Sequence, residues 1–301
     1  MRYGWLLFGF LLLGCEKEIH IEVPVQEGRV VVYSFLYPDS AVSFHLSESV
    51  SITSPDLYAY VENARVGLKV NGSVQLDQAF PFNTVNGKWD PVVCNYGDSL
   101  VVEVSIPGKP LVLARTMIPE KVAIAALDTV AEVRRPGNGE ENAYLRFALQ
   151  FKEDGLRSDF YQVVVVRESW DYDGVKRIKT LELLQEDPVF VFHEQGGGLS
   201  SWFDFRGLFS DVLINGQDYT VTFLTQKKDY LLAFDEQRVR LTVYLYHHTY
   251  DYFEYLKTTI WAKGADNFPV FDPVRIHSNV DQGLGLVSGM SFDQVQYEFN
   301  Q

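Results

Sequence analysis

The sequence predicts a mainly β protein, and three observations carry that expectation. Between residues 29 and 119, seven short segments alternate apolar and polar side chains and are separated by turn residues. Two of these segments flank Asn71-Gly72, a dipeptide suited to a tight hairpin because both turn positions take positive φ. Aromatic residues make up 14% of the chain, a content that suits pleated, half-buried surfaces and also proteins that present Tyr or Trp to sugars or partners. The expected architecture is an immunoglobulin- or fibronectin-like β-sandwich over residues 29–119, followed by a second β-rich domain over 120–301 with one helix near its C-terminus.

In order, the first-half segments are RVVVYSFLY from Arg29, AVSFHLSES, ARVGLKV, GSVQLDQ, NGKWDPVV, SLVVEVSI and PLVLARTMI. In the second of these, Val42, Phe44 and Leu46 share one face, while Ser43, His45 and Ser47 share the other. Residues 120–135 carry little turn chemistry, and a boundary is expected near Pro119. RRPGNGEEN reads as a polar loop, after which AYLRFALQF, DFYQVVVVRESW and VKRIKTLELL start a new strand series, the last two joined by Asp173-Gly174. FRGLFSDVLINGQDYTVTFLTQ and RVRLTVYLYH follow. In RVRLTVYLYH, Val239, Leu241, Val243 and Leu245 alternate with Arg240, Thr242, Tyr244 and Tyr246, the pattern of a half-buried strand. A helix is predicted over about 250–263. Thr249 is its N-cap, Phe253, Leu256 and Ile260 form its apolar stripe, and Gly264 ends it. The glycine-rich tail beyond it returns to strand-like residues.

The first residues concern location. After Arg2, Gly4 to Leu13 carry no charged side chain, a run too short for a membrane-spanning helix, which needs about 20 apolar residues. It fits the apolar region of a secretory signal peptide over residues 1–14. The Leu12-Leu-Gly-Cys15 tetrapeptide matches a bacterial lipobox, so Cys15 is expected to be lipidated and to become the first residue of the mature chain, with 15–28 as a tether. Two or more acyl chains make such attachment effectively stable. The tether begins Glu16-Lys17-Glu18. Cys94 then has no cysteine partner within the mature chain and reads as a packed strand residue.

Composition narrows the function classes. Removing residues 1–14 takes away Arg2 and leaves the chain one charge more negative than its full-length −14, which argues against nucleic-acid binding. Asp171-Tyr172-Asp173-Gly174 with Glu182 departs from an EF-hand loop and reads as a hairpin turn. His247-His248 point to opposite faces of a strand and do not form a ligand set. Gly283, Gly285 and Gly289 lack the helix and acidic partner of a dinucleotide loop and read as a bent or closely packed strand. No GxSxG, P-loop or paired-carboxylate motif is present, and no cofactor or metal is expected. The glycine loop at 196–198, beside Trp202, Phe203 and Phe205, reads either as a surface loop next to a core-facing aromatic strand or as a binding lip with those three aromatics as contact residues.

CEKEI after the lipobox, FLYPDS, GDSLVVEVSIPG, FSDVLINGQDYTVTF, DYFEYLK and DPVRIHSNVDQGLGLVSG together resemble the Bacteroidota lipoproteins of domain-of-unknown-function family 4249 (DUF4249). His20 departs mildly from the acidic run that often follows CEKEI. The resemblance implies no catalytic residue, and a role for Cys15 alone. It implies an outer-membrane setting, with the protein facing the cell exterior, and a neighbouring TonB-dependent receptor barrel as partner. The expected function is therefore accessory or ligand-capturing, for a glycan, peptide or other nutrient. A structural or adhesive surface protein is the alternative, and a lipid-anchored hydrolase is a further one that would need a converging carboxylate or metal site.

Overall fold

The computed structural model describes residues 28–51, 53–135, 141–193, 198–199, 204–265 and 274–300. The protein is mainly β. Its first seven strands are β1 (Val30–Leu36), β2 (Ala41–Glu48), β3 (Arg65–Val70), β4 (Ser73–Ala79), β5 (Asn86–Pro91), β6 (Ser99–Ser105) and β7 (Val112–Met117). Each coincides with one of the segments read from the sequence. The β3–β4 hairpin turns on Asn71 and Gly72, with φ of +49° and +81°. The Asn71 side chain also joins this turn to β6, its Oδ1 accepting from the Ser99 amide at 3.0 Å and its Nδ2 donating to Asp98 at 2.7 Å.

The second half supplies β8 (Ile124–Arg134), β9 (Asn142–Lys152), β10 (Phe160–Asp171), β11 (Lys176–Thr180), α1 (Pro188–Val191), β12 (Phe192–His193), β13 (Gly198–Leu199), β14 (Leu208–Ser210), β15 (Asp218–Gln226), α2 (Lys227–Tyr230), β16 (Glu236–His248), α3 (Tyr250–Ala265), β17 (Val280–Asp281) and β18 (Leu284–Asn300). β8 fills the stretch of little turn chemistry after Pro119, to which the sequence assigned no element. Its alternation is weak because most of its side chains are only half-buried or exposed. The Asp173-Gly174 segment forms the expected hairpin, with Asp171 Oδ1 accepting from the Asp173 and Val175 amides at 3.0 and 2.8 Å.

β18 joins the two halves. From Leu284 to Gly289 it runs parallel to β1, and from Met290 to Asn300 it runs antiparallel to β16. One continuous sheet therefore runs β11-β10-β16-β18-β1-β2-β5, with β14 also paired to β10. A sheet of order β17-β7-β6-β3-β4 covers its first-half portion, and β15-β9-β8 covers the other. Two apolar cores result. One is built from Val32, Phe44, Leu68, Leu100, Val102 and Ile118, and the other from Phe147, Phe151, Tyr161, Val163, Phe223 and Leu241.

The division expected at Pro119 separates the cores as far as residue 245, but it does not separate the sheets. Val280 and Val287, from the far end of the chain, belong to the first core. The glycines of the tail make this return possible. Gly285 has a φ of +112°, and a Cβ there would lie 2.0 Å from Val32 O; a Cβ on Gly289 would lie 2.0 Å from Met117 O. Backbone approaches this close leave no room for a side chain, which explains a closely packed, bent strand at this place.

Helix α3 begins where the sequence places it. Thr249 O accepts from the Phe253 amide at 3.1 Å, while the Thr249 hydroxyl pairs with Ser288 Oγ at 2.9 Å. The helix continues one residue past Gly264. It lies on the outer face of β1, where Tyr252 meets Phe35 edge-on at 5.8 Å and Tyr255 meets Tyr33 at 5.9 Å. Cys94 is buried in the first core, and burial raises its thiol above the usual range. Among the described residues no helix is long and apolar enough to cross a membrane.

Candidate ligand cleft

The period of β16 determines the site. Its odd-numbered side chains, Val239 to His247, face the second core, so Tyr244, Tyr246 and His248 come out on the opposite face of the shared sheet. Their rings form a row. Tyr244 stacks on Tyr246 at 5.6 Å, Tyr246 on His248 at 5.5 Å, and His248 on Tyr252 of α3 at 4.0 Å with 17° between planes. Phe292, opposite Tyr246 in the β16–β18 ladder, touches both tyrosines, and Tyr37 lies on Phe292 at 6.0 Å. Farther along the same face, Arg238 sits 3.8 Å above the Trp170 ring, a cation–π contact.

This row forms one wall of a cleft of about 790 Å³, where Phe35, Tyr246, His248 and Tyr252 are the aromatic members. The polar members are Gln162, Thr180, Glu182, Gln185, Asp204 and Arg206. Gln162 is buried on β10. Its Nε2 donates to Arg206 O at 3.0 Å, which turns its Oε1 toward His248 Nε2, also at 3.0 Å. The acceptor Oε1 requires Nε2 of His248 to carry the proton, leaving Nδ1 as a lone-pair acceptor. His248 is 3% exposed, and its Nδ1 has no hydrogen-bond partner among the described residues. Burial, with a smaller contribution from His247, pushes His248 down to about 3, so the ring is neutral at physiological pH. Tyr246 is pushed up to about 12 by burial and keeps its proton as well. Arg206, at the cleft margin, holds a φ of +56°, uncommon for a residue with a side chain.

The cleft thus combines flat aromatic faces with uncharged hydrogen-bonding groups at its base and a few charges at its rim. That combination can stack a planar or sugar-like ring and fix its orientation through neutral polar contacts.

The contact residues read from the sequence are not this set. Phe205 is 3% exposed and packs edge-on against Trp261 at 6.1 Å, so its ring is part of the packing beneath α3; its neighbours Asp204 and Arg206 are the ones that reach the cleft. Trp202, Phe203 and Cys15 lie outside the described residues. The two adjacent histidines do diverge. His247 pairs with Glu120 O at 2.7 Å and with Asp159 Oδ1 at 3.1 Å, on the side opposite His248. Gln162, Tyr252 and Arg206 carried no signal in the sequence, whereas Tyr244 and Tyr246 were visible as the half-exposed face of β16.

The fold is a mainly β scaffold, two sandwiches sharing one sheet, with an aromatic cleft where the helix meets it. The chain belongs to the family described as domain of unknown function DUF4249, whose model matches residues 16–296. No curated protein matches it. Solved structures similar in part include a two fibronectin type-III domain segment of chicken tenascin, with 6% identity and a TM-score of 0.23, covering 91% of this chain and 100% of that one. Extracellular domains 3–5 of Drosophila OTK share 6% identity with a TM-score of 0.18, covering 73% and 92%. The BSP domain of a biofilm associated protein shares 10% identity with a TM-score of 0.20, covering 93% and 62%.

Proposed function

We propose that this protein is a lipid-anchored component of the outer membrane, facing the cell exterior, that captures a ligand for a TonB-dependent receptor. The lipobox at Cys15 supports the anchor, and the family resemblance supports the setting and partner. The observation that carries ligand capture is the cleft itself, in which Tyr246, His248 and Tyr252 stack beside the buried Gln162 with a free acceptor at their base. Stacked faces with a neutral polar floor suit a glycan or a peptide with a planar side chain. Convergent carboxylates would favour a lipid-anchored hydrolase, but those that do converge, Glu153, Asp154 and Asp159, do not line this cleft.

The test uses the full chain in detergent, applied to arrays of bacterial and dietary oligosaccharides and of peptides, beside Tyr252→Ala and Tyr246→Ala. Binding that weakens by about two- to tenfold in each variant, the effect of an aromatic contact worth roughly 0.5–1.5 kcal/mol, supports the reading. Equal binding by variants and wild type, or none by the wild type, counts against it.

A further inference from the structure

The β9–β10 connection, Glu153 to Asp159, is held against the turn that follows β14. Glu153 Oε2 accepts from the Gly155 amide at 2.8 Å and from the Gly216 amide. Asp159 and Asp211 exchange bonds, the Asp211 amide donating to Asp159 O at 3.0 Å and the Asp159 amide donating to Asp211 Oδ2 at 3.0 Å. Glu153, Asp159 and Asp211 are 1%, 4% and 1% exposed, and Asp154 stands beside them at the surface. Burying this many carboxylates is costly unless positive charge accompanies them. In contact with them are Arg157, whose Nε is 3.1 Å from Asp159 Oδ1, and the ring of His247, also 3.1 Å away on the same oxygen.

Two buried polar atoms are left over. Glu153 Oε1 has no partner among the described residues, although Oε2 of the same carboxylate is fully engaged. The Tyr161 hydroxyl, on a fully buried side chain, has none either. Tyr161 lines the same shallow hollow as Asp154 and Asp159. Unpaired buried oxygens beside a carboxylate cluster are what a cation would satisfy, even though Lys121, Lys152 and Arg157 also line the hollow.

One oxygen from each of Glu153, Asp154 and Asp159 lies within 4.8 Å of the others. Calcium binds oxygen at about 2.3–2.6 Å, so two ligands on opposite sides of the ion stand about 5 Å apart. We infer that Glu153, Asp154 and Asp159 form a calcium site within the β9–β10 loop, whose Glu153 and Asp159 are hydrogen-bonded to the turn between β14 and β15. The all-oxygen donor set selects a hard cation, and an irregular loop site that takes its remaining ligands from water suits calcium better than the tighter octahedron of magnesium. Its role is structural: it sits at the end of the second core, off the aromatic cleft, and its existence does not depend on the ligand-capture reading.

The test takes the full chain in detergent, strips it with a chelator, and returns Ca²⁺ or Mg²⁺ while following thermal unfolding. A second readout is terbium luminescence sensitised by Tyr161. Calcium is expected to raise the unfolding midpoint of the stripped protein and to displace terbium. Asp154→Asn, which removes one negative charge from the emptied cluster, should leave the stripped midpoint no lower and weaken Ca²⁺ at least tenfold, and Tyr161→Phe should remove most of the sensitised emission. An unchanged midpoint on adding Ca²⁺, an equal response in Asp154→Asn, or an equal response to Mg²⁺ overturns the inference.

Discussion

His248 gives the most direct physical test of the cleft. Its ring is buried between Tyr246 and Tyr252, and its proton affinity is pushed from 6.5 down to about 3 by burial. Above the unfolded value both states hold a neutral imidazole, and His248 adds no pH dependence. As pH falls below it, the unfolded chain takes up a proton that the folded protein refuses, so stability declines until the folded value is reached. Each pH unit in that window is worth about 1.4 kcal/mol, so the wild type should lose about 2–3 kcal/mol between about pH 6.5 and 4.5 through this residue. His248→Phe keeps a flat ring in the stack and removes the titration, at a cost near neutrality of about 1–3 kcal/mol for the unpaired Gln162 Oε1. Urea unfolding of both proteins across this range should show the variant less stable at neutral pH and nearly level with the wild type at the acid end. Parallel pH slopes would mean that folded His248 accepts a proton, and would remove the neutral acceptor on which the cleft depends.

Gly285→Ala should destabilise by about 2–4 kcal/mol, since φ of +112° is unfavourable for alanine and its Cβ would meet Val32 O; urea unfolding measures this, and a neutral effect would contradict the parallel β1–β18 pairing. Glu236 is held down to about 2 mainly by the two-pronged contact of Arg167, at 2.7 and 2.5 Å. Its contribution is complete above the unfolded carboxylate value near 4.5 and is lost as pH falls toward 2. Glu236→Gln at neutral pH leaves the partly buried Arg167 without its counter-charge and should cost about 2–4 kcal/mol; a loss below about 1 kcal/mol would show that the pair contributes little.

Local signals in the sequence were enough for local structure. The seven first-half strands, the Asn71-Gly72 hairpin, the Asp173-Gly174 turn and the Tyr250 helix all announce themselves through side-chain period or turn chemistry. The return of β18 to β1 does not, because strands about 250 residues apart in sequence pair through backbone groups that leave no mark on nearby residues. Its one trace is the spacing of Gly283, Gly285 and Gly289, legible as close packing but silent about the partner. The cleft was half legible. The alternation of β16 separates Tyr244 and Tyr246 from the core, but the meeting of Gln162, His248 and Tyr252 requires β10, β16 and α3 to be assembled first. Of the aromatics beside the glycine loop, Phe205 packs inward, while its neighbours Asp204 and Arg206 line the cleft. The carboxylate cluster leaves no motif in the sequence, since Asp211 lies 52 residues beyond Asp159.

The central claim, a surface lipoprotein working with a TonB-dependent receptor, is tested most directly by recovering the tagged, lipidated protein from its native outer membrane in gentle detergent and identifying what accompanies it by mass spectrometry. The account predicts a TonB-dependent barrel in stoichiometric amount, retained by the wild type and lost when Cys15→Ala abolishes the anchor. Recovery of the anchored protein without a barrel at any detergent strength would contradict it.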